Sequence, residues 1–475
     1  MGILPQIEHI VVVMFENRSF DNLCGWLYSD SEKPKLFLPA GSAQSYDGLQ
    51  PGFSNPSSFT PPGQPVLVVK GTSSLTVPNP DPEETFDNVT QQIYGPQAPA
   101  PNPQYPMQGF VVNYKLTKSG DPDQIMQTYT PDQLPVLSAL ARNFAISDAW
   151  FCSAPTQTWP NRAFVHAGTS NGNVNNGDVP DPLCWNVRTI FNVLKDQGKT
   201  WAVYSDAEVA PSLTRTMFPQ LWDIFLDGHF QRFSNFQHAC ATNTLPQYSF
   251  LEPSFLQNAN DGHPPHNMAA AEQFLFDIWT AVSTSKAWPN TLLIVTYDEH
   301  GGCYDHVLPP LGATPPDPAS NPGHEGFRFD RFGVRVPTVL ASPYIAPGTV
   351  FGSNTTVPYD HTSILATLRD WLSIPEAKML KSARIEAAPN VAQVLSLEAP
   401  RTELPVIPKP AGVPVGAPLT IPMNDLQKSI VTGTARRAGM DPHLVLPQIT
   451  TRQHAVDFFS GKLPQAAAGA GGSGQ

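Results

Sequence analysis

Charge is scarce in this 475-residue chain: charged residues make up 14% of it, 28 basic against 40 acidic, for a net charge of −12. A basic field able to neutralise nucleic-acid phosphates is therefore missing, and nucleic acid is excluded as a first-choice partner. Long hydrophobic runs are missing too. Nothing approaches the roughly 18 apolar residues that a spanning helix needs, so membrane contact is expected to be peripheral at most. The opening residues Met1 to His9 lack a basic n-region, and the apolar run after them ends in Glu16-Asn17-Arg18 with no small-residue cleavage site, so no signal peptide is expected. Cysteines number only five, Cys24, Cys152, Cys184, Cys240 and Cys303, without a CxxC pair, which argues against both a disulfide framework and a thiolate zinc site.

What the chain has is hydrophobic residues at 41%, enough for a large core, and 52 prolines. Each proline fixes φ and removes a backbone donor, so regular elements must be short and the loops between them long. Short apolar, β-branched runs recur at Ile10 to Phe15, Phe144 to Ile146, Trp201 to Tyr204, Leu292 to Tyr297 and Val336 to Leu340. They read as strands buried on both faces. Helix-like stretches separate them: Pro131 to Asn143, Thr189 to Gln197, Met268 to Thr284 and His361 to Leu372. Alternation of this kind predicts an α/β fold with a mostly parallel sheet between helices. Residues 1–380 are expected to form the catalytic domain. A loop-rich insertion is expected at 31–106, and a second proline-rich stretch, Leu308 to Pro322, reads as a lid or wall. Residues 381–475 are expected to be a proline-rich extension with short helices near Asp425 to Gly439 and Thr451 to Phe459, ending in a flexible tail.

Several strand runs end in polar residues, and ligands bind outside the carboxyl ends of strands in open α/β sheets. Glu16-Asn17 follows the first strand and Asp298-Glu299 follows another about 280 residues later. Three carboxylates and an amide oxygen make a hard, oxygen-rich set suited to a divalent cation, although an acid after a strand can also simply cap a turn. His300, Asp305 and His306 follow on the same loop. In Thr156-Gln157-Thr158-Trp159-Pro160-Asn161-Arg162, Pro160 fits the first helical position, with Thr158 just ahead of a helix start that favours anions. Thr158 is then a candidate nucleophile with Arg162 beside it to grip a multi-oxygen group; the plain alternative is an N-terminal cap. His263, in Asp261-Gly262-His263-Pro264-Pro265-His266, could protonate a leaving oxygen or touch a phosphoryl group, and His361 opens a further helix.

These segments together resemble the phosphoesterase family of bacteria that contains the phosphatidylcholine-type phospholipases C and an acid phosphatase. Glu16 to Asp21 resembles its ENRSFD motif, Thr158 to Arg162 its nucleophile segment ending in PNR, and Tyr297-Asp298-Glu299 with Asp305-His306-Val307 its YDE and DHV motifs. The Gly262-His263-Pro264 and Asp360-His361-Thr362-Ser363 segments match in order, and the similarity spans about residues 7 to 375. His300 stands where many members have Asn, and Trp159 is bulkier than expected. The resemblance implies an alkaline-phosphatase-like fold and hydrolysis of a phosphate ester through a phosphoryl-enzyme intermediate. Glu16, Asn17, Thr158, Asp298 and Glu299 would hold a divalent cation, whether Zn, Ca, Mn, Mg or Fe. Thr158 would attack, and His263, Arg162, His306 and His361 would complete the catalytic set. It also implies a phospholipase C-type activity on phosphate esters such as phospholipids, and a family that is usually exported. An acid phosphatase acting on monoesters is the alternative, and a non-catalytic binding protein stapled by its metal is the second. Phe53, Phe59, Tyr94, Tyr105 and Phe110 of the insertion region are candidate aromatic contacts for a choline head group, or else plain loop anchors.

Overall fold

The computed structural model describes residues 4–41, 45–176, 185–412 and 418–462. Its centre is a nine-stranded sheet of β1 (His9–Phe15), β2 (Leu36–Leu38), β3 (Ala145–Ser147), β4 (Trp201–Ser205), β5 (Phe230–Arg232), β6 (Tyr248–Glu252), β7 (Thr291–Tyr297), β8 (Thr338–Ala341) and β9 (Thr349–Phe351). The order across the sheet is β2-β9-β3-β8-β7-β1-β6-β4-β5. All pairings are parallel except those of β8, which runs antiparallel to both β7 and β3. The α/β class with a mostly parallel sheet is as expected. The Val336 to Leu340 run differs in direction and begins later, at Thr338, because Pro337 has no N–H to give to a ladder.

Strand β1 is buried on both faces, which explains its unbroken Ile-Val-Val-Val-Met-Phe run. Successive side chains point to opposite faces. Phe15 meets Phe274 of the helix Met268–Ser283 edge-on at 6.0 Å, while the next residue, Glu16, meets Arg162 of the helix Thr158–Ala167. The two helices thus cover opposite faces. The helices Pro135–Asn143 and Phe233–Thr242 pack beside Met268–Ser283, and Ile190–Asp196 and Thr362–Trp371 pack beside Thr158–Ala167.

The 31–106 stretch is more than a surface loop. Residues Leu36–Leu38 form an edge strand of the main sheet, and Val89, Ile93 and Tyr94 of the helix Phe86–Tyr94 join Phe110, Val111 and Tyr114 in a second buried cluster. Phe59 packs against Tyr105 at 5.2 Å and Phe53 against His306 at 4.8 Å, so the aromatic residues anchor loops. The 308–322 stretch is tied to the body through Asp317, which accepts from Thr169. Beyond Pro422, the helices Asp425–Arg437 and Arg452–Phe459 share a cluster with Leu256, and Leu426 and Ile430 reach the main core. Cys24, Cys152, Cys240 and Cys303 are buried free thiols; Cys184 and the tail beyond residue 462 lie outside the described residues.

Candidate active site

Register brings the two acidic doublets together. Strands β1 and β7 pair from His9 with Thr291 through Phe15 with Tyr297, so Glu16 and Asp298 leave the sheet side by side. The Asn17 amide donates to Asp298 Oδ1 at 2.9 Å, with Asn17 in the left-handed region at φ 54°. That turn aims its side chain into the site. The Thr158 hydroxyl donates to Glu16 Oε2 at 3.1 Å and to Asn17 Oδ1 at 3.2 Å as alternatives, and all three residues are fully buried. Arg162, one turn on from Thr158, donates through Nε to Glu16 Oε1 at 2.8 Å and lies 3.7 Å from Asp298 Oδ2.

Thr158 is itself the first helical residue, and Gln157 is the cap, with no side-chain capping bond. The hydroxyl is therefore turned to the acids and is not spent on capping. Pro160 sits two positions later than expected. The helix start offers few free amides, since the Trp159 N–H donates to Asn176 Oδ1 at 2.7 Å and Pro160 has none. Asn161 organises the preceding loop, accepting from Ala154 N at 3.0 Å and donating to Thr156 O at 2.9 Å.

His263 Nε2 lies 3.1 Å from Asn17 Nδ2, and its Nδ1 lies 2.6 Å from Pro264 O. An amide nitrogen only donates, so Nε2 accepts and Nδ1 carries the proton. Burial pushes its pKa down to about 4, which fits a neutral ring with its lone pair turned to the site. His361 Nε2 donates to the Asp298 carbonyl at 2.6 Å and so holds the loop leaving β7; burial lowers its pKa as well. His300 is held neutral by burial, at about 3, and bonds Gln92 Oε1 at 2.8 Å. His306 goes elsewhere. Its ring binds Asp21 Oδ2 at 2.5 Å and Asp47 Oδ1 at 3.1 Å, and Arg335 binds Asp21 and Asp305 at 3.0 Å each. None of its partners belongs to the Thr158 group.

Glu84 is a site residue that the sequence reading missed. It accepts from Asn17 Nδ2 and is buried beside Glu299 and Asp298. It comes from an irregular stretch with no preceding strand, so only its charge amid apolar and proline residues could have marked it.

Of the clustered carboxylates Glu16, Glu84, Asp298 and Glu299, Arg162 pairs with Glu16 and Asp298. Burial first, then neighbouring carboxylates such as Asp298, raises the pKa of Glu16, Glu84 and Glu299 well above the usual range. Asp298 Oδ2 and Glu299 Oε1 are buried without a hydrogen-bond partner. Unanswered carboxylate oxygens beside an amide and a hydroxyl oxygen suit a hard divalent cation, so the residues fit one. Among the described residues, one trio of acidic and histidine atoms closes to within 4.8 Å: Asp21, Asp305 and His306. There Arg335 already answers the negative charge, and hydrogen bonds to Asp21 and Asp47 hold the His306 pKa up at about 10 despite burial. That trio works as an ion-pair staple.

An α/β frame with a buried hydroxyl, a guanidinium and clustered carboxylates at the strand ends belongs to a hydrolase of phosphoric esters. The chain is a member of the phosphoesterase family, whose model matches residues 7–375. Non-specific phospholipase C3 of Arabidopsis thaliana is 34% identical over 430 residues, covering 86% of this chain and 78% of that protein. Phospholipase C B of Mycobacterium tuberculosis is 30% identical over 416 residues, covering 79% and 75%. The family is thus shared by plants and bacteria. A solved protein of the alkaline phosphatase superfamily from Vibrio parahaemolyticus is similar at a TM-score of 0.31 and 13% identity, over 50% of this chain and 60% of that one.

Proposed function

We propose that this phosphoesterase is a metal-dependent phospholipase C, hydrolysing the glycerol–phosphate ester of a phospholipid with Thr158 as nucleophile. The observation that carries the reading is the Thr158 oxygen, held 3.1 Å from Glu16 and 3.2 Å from Asn17 at the start of a buried helix. Relatives from two kingdoms named phospholipase C support the diester and lipid side of it.

Glu16, Asn17, Asp298 and Glu299 would hold the cation, which when bound supplies the positive charge that favours an ionised nucleophile and screens phosphate oxygens. Thr158 attacks phosphorus as the bond from phosphorus to the glycerol oxygen breaks; the hydroxyl proton passes along the hydrogen bond to Glu16 Oε2, and the glycerol oxygen leaves as diacylglycerol with a proton from solvent. Arg162 keeps Glu16 in place, and its Nη1, buried without a partner, is a donor left for a phosphate oxygen. His263 accepts from Asn17 Nδ2 and so orients the Asn17 side chain, its neutral ring being placed to take up a proton. Water then hydrolyses the phosphothreonine, returning the hydroxyl.

The test compares wild type, Thr158→Ala, Thr158→Ser and Asp298→Asn on phosphatidylcholine vesicles, a chromogenic phosphodiester and a chromogenic monoester. Diester and lipid cleavage is expected to fall at least about a thousandfold in Thr158→Ala and to survive partly in Thr158→Ser. Wild-type turnover by Thr158→Ala would sink the nucleophile, and activity confined to the monoester would sink the phospholipase reading.

A further inference from the structure

A cavity of about 580 Å³, separate from the Thr158 group, lies where β4 and β5 end, lined by Arg215, Arg232, Arg437, Phe230, Phe458 and Phe459 among others. These strands run parallel to β1, so the cavity sits at the same edge of the sheet as Thr158, two to three strands away. At a spacing of about 4.8 Å per strand, that is roughly 10–14 Å.

Its charge is out of balance. Arg215 is paired with Asp227 and lies over the Phe230 ring at 4.9 Å. Arg232 donates only to the Ala207 carbonyl, and among the described residues no carboxylate forms an ion pair with Arg232 or Arg437. In a chain of net charge −12, Arg215 and Arg437 share the attraction of the Asp227 carboxylate and Arg232 has no ion pair among the described residues, so this excess of guanidiniums beside three phenylalanines makes a local site for an anion with an apolar part.

The surroundings say which anion. Ile224 and Phe225, 72% and 83% exposed, stand on the turn Ile224–His229 that leads into β5. Asp223 caps that turn through Phe225 N at 2.9 Å, and Arg215 Nη2 ties it to the cavity wall through the Asp223 carbonyl at 3.2 Å. On the other side, Leu444 is 57% exposed in the helix Pro442–Val445, whose Val445 lines the cavity. A soluble anion would satisfy the arginines but leave these apolar side chains in water. A bilayer lipid uses both.

We propose that this cavity receives the head group of an anionic membrane lipid while Ile224, Phe225 and Leu444 enter the lipid surface. The chain is thereby docked with its catalytic strand ends toward the bilayer. The purpose of such docking rests on the phospholipase reading above; the binding itself is measured without catalysis.

The experiment is co-sedimentation of the full chain with vesicles of phosphatidylcholine alone and of phosphatidylcholine doped with phosphatidylserine. Wild type is expected to prefer the doped vesicles and to release them as salt rises. The double variants Arg232→Glu/Arg437→Glu and Arg232→Gln/Arg437→Gln are expected to bind at least about tenfold more weakly, and Phe225→Ser to lose affinity while keeping its salt dependence. Both double variants should cleave a soluble chromogenic phosphodiester like wild type, which shows that they fold. Equal binding to both vesicle types, or binding untouched by the arginine changes, overturns the proposal. So does displacement by soluble glycerophosphoserine at the same head-group concentration, which would make the cavity a site for a soluble anion. If wild type cleaves no phosphate ester at all, the phospholipase reading fails and the vesicle result still stands or falls by itself.

Discussion

Arg162 binds Glu16, the Met14 carbonyl and, at longer range, Asp298. Its charge is kept against a large burial cost by Glu16 and Asp298. A lysine offers one point of charge where the guanidinium offers a fork, so Arg162→Lys would release either Glu16 or the Met14 carbonyl. We expect kcat to fall about a hundredfold or more, with a smaller change in KM, read from steady-state kinetics on a soluble diester. Most of this group was legible because Glu16, Asn17, Asp298 and Glu299 follow apolar runs whose strand character is plain. Glu84 was not, since nothing local marks an acid in an irregular segment as facing inward. His306 was misplaced for a related reason. Proximity in sequence to Asp298 says nothing about direction, and Gly301 and Gly302, at φ of 58° and 64°, turn the chain toward Asp21 and Arg335.

Those turns matter at the scale of elements. A Cβ on Gly301 would stand 2.3 Å from the Asn17 carbonyl oxygen, so the loop leaving β7 can pass the loop leaving β1 only without a side chain. Gly301→Ala should displace Asn17 and cost about 1–3 kcal/mol, seen as a lower denaturant midpoint together with weakened turnover. Retention of both would mean that the two loops are freer than their packing implies. The helices that were read, such as Thr189 to Gln197 and Thr451 to Phe459, lie within a few residues of those observed, because the 3.6-residue pattern and caps such as Thr189 and Thr451 are local signals, while Phe86–Tyr94 and Phe233–Thr242 were not read. Strands β2, β5, β6 and β9 were missed and β8 took an unexpected direction, since three to five residues, or a short run after a proline, carry no information about partners. The C-terminal helices also gained a role that composition does not show. Gln427 donates to the Phe255 carbonyl at 2.8 Å, and the Phe255 ring lies 5.4 Å from the Arg162 guanidinium.

For the whole molecule, pH and cation should act through different clusters. His306 has its pKa raised from 6.5 to about 10 against Asp21 and Asp47. Because the folded value exceeds the unfolded one, this stabilisation is complete below about pH 6.5 and is lost as pH rises through about 10. His306→Gln should therefore flatten the decline of Tm between those limits and lower stability at neutral pH by about 1–3 kcal/mol; a decline as steep as wild type would assign it to other groups. Chelation should lower Tm by leaving Glu16, Glu84, Asp298 and Glu299 clustered with a guanidinium, Arg162, that pairs with only Glu16 and Asp298 among them. A cation at a hundredfold excess over its Kd contributes about 2.7 kcal/mol, so calorimetry with and without chelator is a direct readout.

None of the contacts that create the site is local. Asn17 meets Asp298 across 281 residues, Thr158 meets Glu16 across 142, and His263 meets Asn17 across 246. Each demands that a long stretch of chain close before the contact returns any energy, which slows folding. During refolding, helix content should recover early while turnover lags until the last of these closures, and a protease nick between residues 17 and 298 in the unfolded chain should leave pieces that carry every motif and no chemistry.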